Sequence, residues 1–366
     1  MTIFYVVLYA LAGAVVCSLF MPVMIRFSNV LCLVDAPVST RKIHRTPVPA
    51  IGGLVIACSA VLVLLFSGKA WQFAMYYPNW IFSVFALLLV SILDDRYNLP
   101  AVLRFGLQVL CAFLAAKEGF IITSLHGVFG IETLPVAAQY LLTIVVVTGI
   151  TNAFNLIDGI DGLAGSLLFI NLLTLALLAY IGGQLQWFFL LLPVLGAMPV
   201  FLRYNWNPAK VFLGDGGSVV LGFVAITLAL HLSNVFAGGS YLVSGKLMML
   251  LTGALVIIPA TDMLRVSLHR VKKGVSPFSA DKNHLHHWFL KHGVKHAHAT
   301  TRLVFLQLFL LLFTIAASLY TSSTMLLIYQ ILMVAGYTVL VKLHTNFTRW
   351  YFLVRRMEYG RHYQYR

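Results

Sequence analysis

Long apolar runs recur from one end of the chain to the other, separated by short polar breaks. At 1.5 Å per helical residue, most are long enough to cross a bilayer, and none alternates with the period of a strand. The pattern predicts helical spans near 3–25, 50–67, 79–93, 101–117, 135–153, 163–182, 185–203, 217–233, 246–268, 301–321 and 324–342. The run at 79–93 falls short of the roughly 20 residues a crossing needs. Trp80, Tyr76 and Tyr77 stand where they can extend it into the headgroup layer. The segment at about 118–134, rich in Gly, is suited to a small hairpin lying on the membrane. No soluble domain remains, so residues 1–366 read as one integral membrane unit: an all-α polytopic protein of about eleven spans, with a basic tail at about 343–366.

Composition sharpens this picture. With 60% hydrophobic residues, 10% charged residues and a mean hydropathy of +0.91, the chain is excluded from the soluble enzymes. Nothing basic precedes the first span and Arg26 follows it, which argues against a cleaved signal peptide and places the N-terminus outside. Alternating eleven spans from there divides the 25 Lys and Arg residues 22 to 3, leaving only Lys69, Lys117 and Lys246 outside. That division follows the positive-inside rule and puts the C-terminus in the cytoplasm. The net charge of +14 therefore sits largely on one membrane face, where it attracts anionic lipid and anionic substrates. Arginines interleaved with aromatics in the tail are weak grounds for nucleic-acid binding, and none is expected. The four cysteines form no CxxC pair and are expected as free thiols.

Only eleven residues are acidic. A carboxylate close to hydrocarbon is costly and persists where it binds or reacts, so the acids mark the candidate chemistry. Asp94-Asp95 ends the third span, where it either holds a divalent cation or supplies a base, or forms a solvated turn. Asn152, Asn155, Asp158 and Asp161 recur every third residue, with Gly159, Gly162 and Gly165 loosening the backbone for close approach to a ligand. Phe212-Leu213-Gly214-Asp215-Gly216-Gly217-Ser218 combines an aromatic face with a carboxylate, and Gly216 makes its turn looser. His284, His286 and His287 lie in the longest cytoplasmic loop; without matching Cys they suit phosphate or sugar oxygens better than zinc. Pro259 interrupts the ninth span just before Asp262 and Arg265, which read either as one ion pair or as part of a bend around a cavity that brings Arg265 to substrate. All the acidic clusters fall on the cytoplasmic side. A carrier would instead place its acids near mid-membrane in related repeats, and the chain has no internal repeat.

Five motifs in order over roughly residues 30–300 resemble the bacterial polyprenyl-phosphate N-acetylhexosamine-1-phosphate transferases. They are Pro47-Val48-Pro49-Ala50-Ile51-Gly52-Gly53, Asp94-Asp95-Arg96-Tyr97-Asn98, Asn152 to Gly162, Val211 to Ser218, and His284-Leu285-His286-His287. The His-x-His-His form is similar to the branch using UDP-GlcNAc and undecaprenyl phosphate. Asn98 stands where many members carry a third acid. The resemblance implies an enzyme of the bacterial inner membrane, with its catalytic cleft facing the cytoplasm. In this reading, a polyprenyl phosphate attacks a UDP-N-acetylhexosamine, UMP leaves, and a polyprenyl-pyrophosphoryl-sugar forms for cell-envelope polysaccharide. It further implies Mg²⁺ or Mn²⁺ at Asp215, uracil on Phe212, and nucleotide and metal organised by Asn155, Asp158 and Asp161. Sugar or diphosphate falls to His284, His286 and His287, and the lipid phosphate to Asp94 and Asp95. The identity of the sugar, the polymer made and the choice between monomer and homodimer stay open at this point.

Overall fold

The fold is described from a computed structural model covering residues 2–35, 47–239, 241–274 and 296–362. The expected apolar runs all form helices. In chain order these are α1 (Thr2–Phe27), α2 (Gly52–Phe66), the short α3 (Lys69–Tyr76), α4 (Pro78–Tyr97), α5 (Ala101–Lys117), α6 (Val136–Ile157), α7 (Leu163–Ile181) and α8 (Leu185–Asn205). They continue as α9 (Asp215–Ala237), α10 (Gly245–Lys272), α11 (His296–Ala317) and α12 (Ser323–His362). Among the described residues, nine helices are long and apolar enough to cross a membrane, and α2 is a shorter apolar helix of 15 residues. The chain is thus an all-α multi-pass membrane protein.

Several boundaries differ from the expected ones, for physical reasons. Pro78 opens α4 at its first turn, where its missing N–H costs nothing, so the short run becomes a full 20-residue helix. Asp94 and Asp95 consequently lie in its last turn, not beyond it. Asn98 closes α4 at φ 54, ψ 66, a left-handed cap that Asn tolerates better than most residues. At the far end of α4 the N–H groups of Asn79 and Trp80 donate to the Glu118 carboxylate at 2.6 and 2.7 Å, so one of the few acids caps a helix. The basic tail is not separate either: α12 continues from the last apolar run to His362.

The expected hairpin is present. Strands β3 (Ser124–Val128) and β4 (Ile131–Thr133) pair antiparallel around Phe129-Gly130, both at positive φ as a two-residue hairpin turn requires. Ser323 and Thr324, at the start of α12, tie to it through His126, Gly127 and Phe129. A second small ladder, β1 (Val34–Asp35) with β2 (Val48–Pro49), lies at the opposite end of the bundle.

Helix α9 is the axis of the molecule, buried along most of its length against α2, α4, α6, α7 and α10. Small residues permit that burial, because lipid offers no hydrophobic drive and close backbone approach supplies the packing. A Cβ on Gly53 would stand 2.1 Å from Gly217 Cα, so α2 and α9 cross at two glycines. Gly216 differs: it lies in the first turn of α9, where an added Cβ would meet only Ile92 and Leu88 at 3.5 and 3.7 Å. The looser turn expected there is instead ordinary helix.

Candidate active site

Four helix ends converge near the β1–β2 end of the bundle. Helix α4 delivers Asp94 and Asp95, α5 delivers Arg104 from its first turns, α6 delivers Asn152 and Asn155 from its last turns, and α9 begins with Asp215. The approach of α2 and α9 is held by backbone bonds. Gly52 and Gly53 N–H donate to the carbonyls of Phe212 and Leu213, and Phe212 N–H donates to Pro49 O, at 2.8 to 3.0 Å. The Pro47–Gly53 and Val211–Ser218 motifs are therefore halves of one structure.

Asp94 is buried and fully engaged. One oxygen accepts the Leu99 N–H at 2.7 Å and the other accepts Arg104 Nη1. The same guanidinium nitrogen lies 3.7 Å from Asp215 Oδ2, while Asn155 Nδ2 donates to Asp215 Oδ1 at 2.7 Å. Asn155 also reaches Ser218 Oγ at 3.3 Å. Asp95 stands beside Asp215, whose N–H points to its Oδ1 at 3.5 Å. These groups border a cavity of about 240 Å³ that is polar at Asp94, Arg104, Gln108, Asn152, Asn155 and Asp215. Its remaining wall is largely apolar, from Leu87, Val90, Phe105 and Val219, with Met263, Ser267 and Arg270 contributed by α10.

The Asn-Asp run divides at the end of α6. Asn152 and Asn155 are helical, Asp158 is the cap residue, and Asp161 lies in the following loop. Burial raises the pKa of Asp158, and the carboxylates of Asp215 and Asp161 push it the same way. Asp161 moves down instead. Burial alone would raise it, but hydrogen bonds from His296, Asn207 and the Ala209 N–H outweigh that effect. Its Oδ2 accepts Asn207 Nδ2 at 2.7 Å and Ala209 N–H at 3.1 Å, and its carbonyl accepts Thr300 Oγ1 at 2.9 Å. Asp161 thus joins the α6–α7 turn to the α8–α9 turn and to α11.

Of the expected site residues, Asp94, Asn155 and Asp215 line the cavity, with Asp95 and Asp158 beside Asp215. Phe212 and Arg265 are not among its lining residues. Arg265 Nη2 donates to the buried Asp262 at 3.0 Å, which favours the ion-pair reading of those two. His284, His286 and His287 lie outside the described residues. Arg104, Gln108 and Arg270 went unselected by sequence reasoning. Arg104 carried a signal, a cation within an apolar helical run, but it read as a topological charge.

A divalent cation fits this donor set. Among the described residues, no three His, Cys, Asp or Glu side chains form a ready cage. Mg²⁺ does not require one, since it takes one or two carboxylates and fills its shell with water and substrate phosphate. Asp215, Asp95 and the Asn155 amide offer the hard oxygens it prefers.

The profile of glycosyl transferase family 4 matches residues 77–233, which contain Asp94, Arg104, Asn155, Asp158, Asp161, Phe212 and Asp215. A "Probable undecaprenyl-phosphate N-acetylglucosaminyl 1-phosphate transferase" of Bacillus subtilis (strain 168) is 31% identical over 306 residues, covering 83% of this chain and 81% of that protein. The decaprenyl-phosphate N-acetylglucosaminephosphotransferase of Mycobacterium tuberculosis (strain ATCC 25618 / H37Rv) is 28% identical, covering 83% of this chain and 80% of its own. The undecaprenyl-phosphate alpha-N-acetylglucosaminyl 1-phosphate transferase of Escherichia coli (strain K12) is 27% identical, covering 79% and 75%.

Proposed function

This chain belongs to the polyprenyl-phosphate N-acetylglucosamine-1-phosphate transferases of glycosyl transferase family 4, and from that membership we propose its reaction. It transfers N-acetylglucosamine-1-phosphate from UDP-GlcNAc to a polyprenyl phosphate such as undecaprenyl phosphate, releasing UMP. The observation that carries this reading to the chain's own residues is the cavity bordered by Asp94, Arg104, Asn155 and Asp215. Its lining joins charged side chains to a largely apolar wall, as a phosphate on a hydrocarbon tail requires.

In this mechanism an acceptor phosphate oxygen attacks the β-phosphorus of the donor, and the bond from that phosphorus to the oxygen bridging it to UMP breaks. A phosphate monoester has its second pKa near 6 and is mostly dianionic at pH 7, so little proton remains for a base to remove. The engagement of Asp94 with Leu99 and Arg104 supports the same conclusion, and its role here is to position Arg104 for the acceptor phosphate. Asp215, with Asp95 and Asn155, would hold Mg²⁺, which supplies charge neutralisation between the phosphates. Asp158 borders the donor side, Asp161 holds the turn beneath it, and Phe212 stacks on uracil. His284, His286 and His287 contact sugar or diphosphate. The site is read as facing the cytoplasm from the bacterial inner membrane, a reading that the basic residues flanking it support.

Purified protein given UDP-GlcNAc, polyprenyl phosphate and Mg²⁺ is expected to release UMP and form lipid-linked sugar. Absence of turnover with any UDP-N-acetylhexosamine overturns the reading. Asp94→Asn is expected to retain most activity and Asp215→Asn to lose its Mg²⁺ dependence; collapse of the first with the second unaffected would restore the base role.

A further inference from the structure

Three amide side chains are fully buried among the helices away from the cavity: Asn171 on α7, Gln307 on α11 and Gln330 on α12. All three donate to backbone carbonyls of one short stretch of α10. Asn171 Nδ2 reaches Leu255 O at 3.0 Å, Gln307 Nε2 reaches Ala254 O at 3.0 Å, and Gln330 Nε2 reaches Leu250 O at 3.1 Å. Four residues beyond Leu255 comes Pro259. Proline has no N–H, so the Leu255 carbonyl has no helical partner, and the ring crowds that turn. At membrane depth no water replaces the missing donor, so side chains of neighbouring helices must supply it. Asn171 does so, and Gln307 serves the carbonyl beside it. The amides do this at their own cost, since the buried Oε1 atoms of Gln307 and Gln330 accept no hydrogen bond.

Beyond Pro259, α10 carries Met263, Ser267 and Arg270 into the cavity wall. We infer that Asn171 and Gln307 are positioning residues for the transfer: by satisfying the carbonyls around the proline break they set the bend of α10, and with it that wall. The inference rests on reading this cavity as the reaction site. Neither residue lines the cavity, so their effect on the reaction passes through α10.

A polar clamp between helices with no positioning role would affect stability alone. The discriminating comparison uses Pro259→Ala, which restores the N–H facing Leu255. Asn171→Leu in the parent protein is expected to raise the polyprenyl-phosphate KM about tenfold while leaving the UDP-GlcNAc KM within about twofold. In the Pro259→Ala background the same substitution is expected to change the acceptor KM by less than about twofold, because the carbonyl then has its helical partner. Independent, multiplying effects overturn the inference, as does a loss of thermal midpoint with acceptor KM unchanged. Should Asn171→Leu fail to fold, the Pro259→Ala background is expected to rescue it, and failure of both also overturns the inference. A second readout needs no turnover. Spin labels at Leu103 on α5 and Leu268 on α10, both exposed and introduced after replacing the native cysteines, report the bend directly in nanodiscs. Their distance is expected to shift in Asn171→Leu and in Pro259→Ala, and unchanged distances refute the bend. An inactive parent protein with shifted distances would overturn the proposed reaction and leave the bend standing.

Discussion

Arg104→Met removes the guanidinium that sits between Asp94 and Asp215. Its Nη1 lies 3.7 Å from Asp215 Oδ2. At an effective dielectric near 20, a unit charge pair at that separation is worth about 4 kcal/mol. The Arg104 side chain is 36% exposed, so solvent screening cuts this to about 2 kcal/mol. An acceptor phosphate entering the cavity draws on the same cation, and about 2 kcal/mol corresponds to about a 30-fold loss in kcat/KM for polyprenyl phosphate. Arg104→Lys keeps the charge but not the planar guanidinium whose Nη1 faces both carboxylates, so it recovers only part of the loss. The Met variant also leaves the buried Asp94 with Leu99 alone and is expected to lose stability. Adding Asp94→Asn should restore the thermal midpoint without restoring the acceptor kinetics. The assay is UMP release at saturating UDP-GlcNAc with polyprenyl phosphate varied. A kcat/KM within about threefold of the parent, or a loss confined to the UDP-GlcNAc KM, refutes the placement of the acceptor phosphate at Arg104.

Glu118→Ala opens two N–H groups at the start of α4 and is expected to cost about 2 kcal/mol, with Glu118→Gln, which keeps one acceptor oxygen, costing about half; thermal unfolding in detergent ranks them, and equal losses refute the two-bond cap. Gly53→Ala drives a Cβ into the backbone of Gly217 and is expected to abolish folded protein, whereas Gly216→Ala meets only side chains at ordinary contact and should leave the thermal midpoint within a few degrees of the parent. The lowered pKa of Asp161 gives a sign for pH dependence: its contribution is fully present above the ordinary carboxylate pKa and is lost as pH falls through the lower folded value. Asp161→Asn should therefore flatten the acid limb of the stability profile below about pH 4, and an unchanged limb argues against that bond network.

The helices were legible because a bilayer demands one thing of a spanning segment, and the apolar runs state it directly. Their ends were less so, since caps depend on single residues. Pro78 lengthened a run that looked too short, and Asn98, read as a missing acid, closes α4 in a left-handed turn that asks nothing of a carboxylate. The acids were legible as a class because each is costly in such a chain. Their individual roles depended on partners elsewhere in sequence: Asp94 on Arg104, Asp161 on Asn207 and His296, Glu118 on the start of α4. No local pattern announces such pairs. The break at Pro259 was visible, whereas the amides that satisfy it, Asn171 and Gln307, lie on two other helices and resembled isolated polar residues in apolar runs.

The charge balance explains why the acids alone do not make the site. Three carboxylates, Asp94, Asp95 and Asp215, against the guanidiniums of Arg104 and Arg270 leave −1 if all are ionised. A dianionic acceptor and the donor diphosphate add further negative charge at the same place. In a cavity with an apolar wall that repulsion is poorly screened, so on the proposed reaction catalysis would consist chiefly of supplying positive charge. On the proposed reaction, Asp94 would serve this by holding Arg104 for the acceptor phosphate. Asp215 and Asp95 would serve it by offering hard oxygens to a divalent cation beside the donor phosphates. An acid that looked like a reagent is, in this geometry, the holder of a cation.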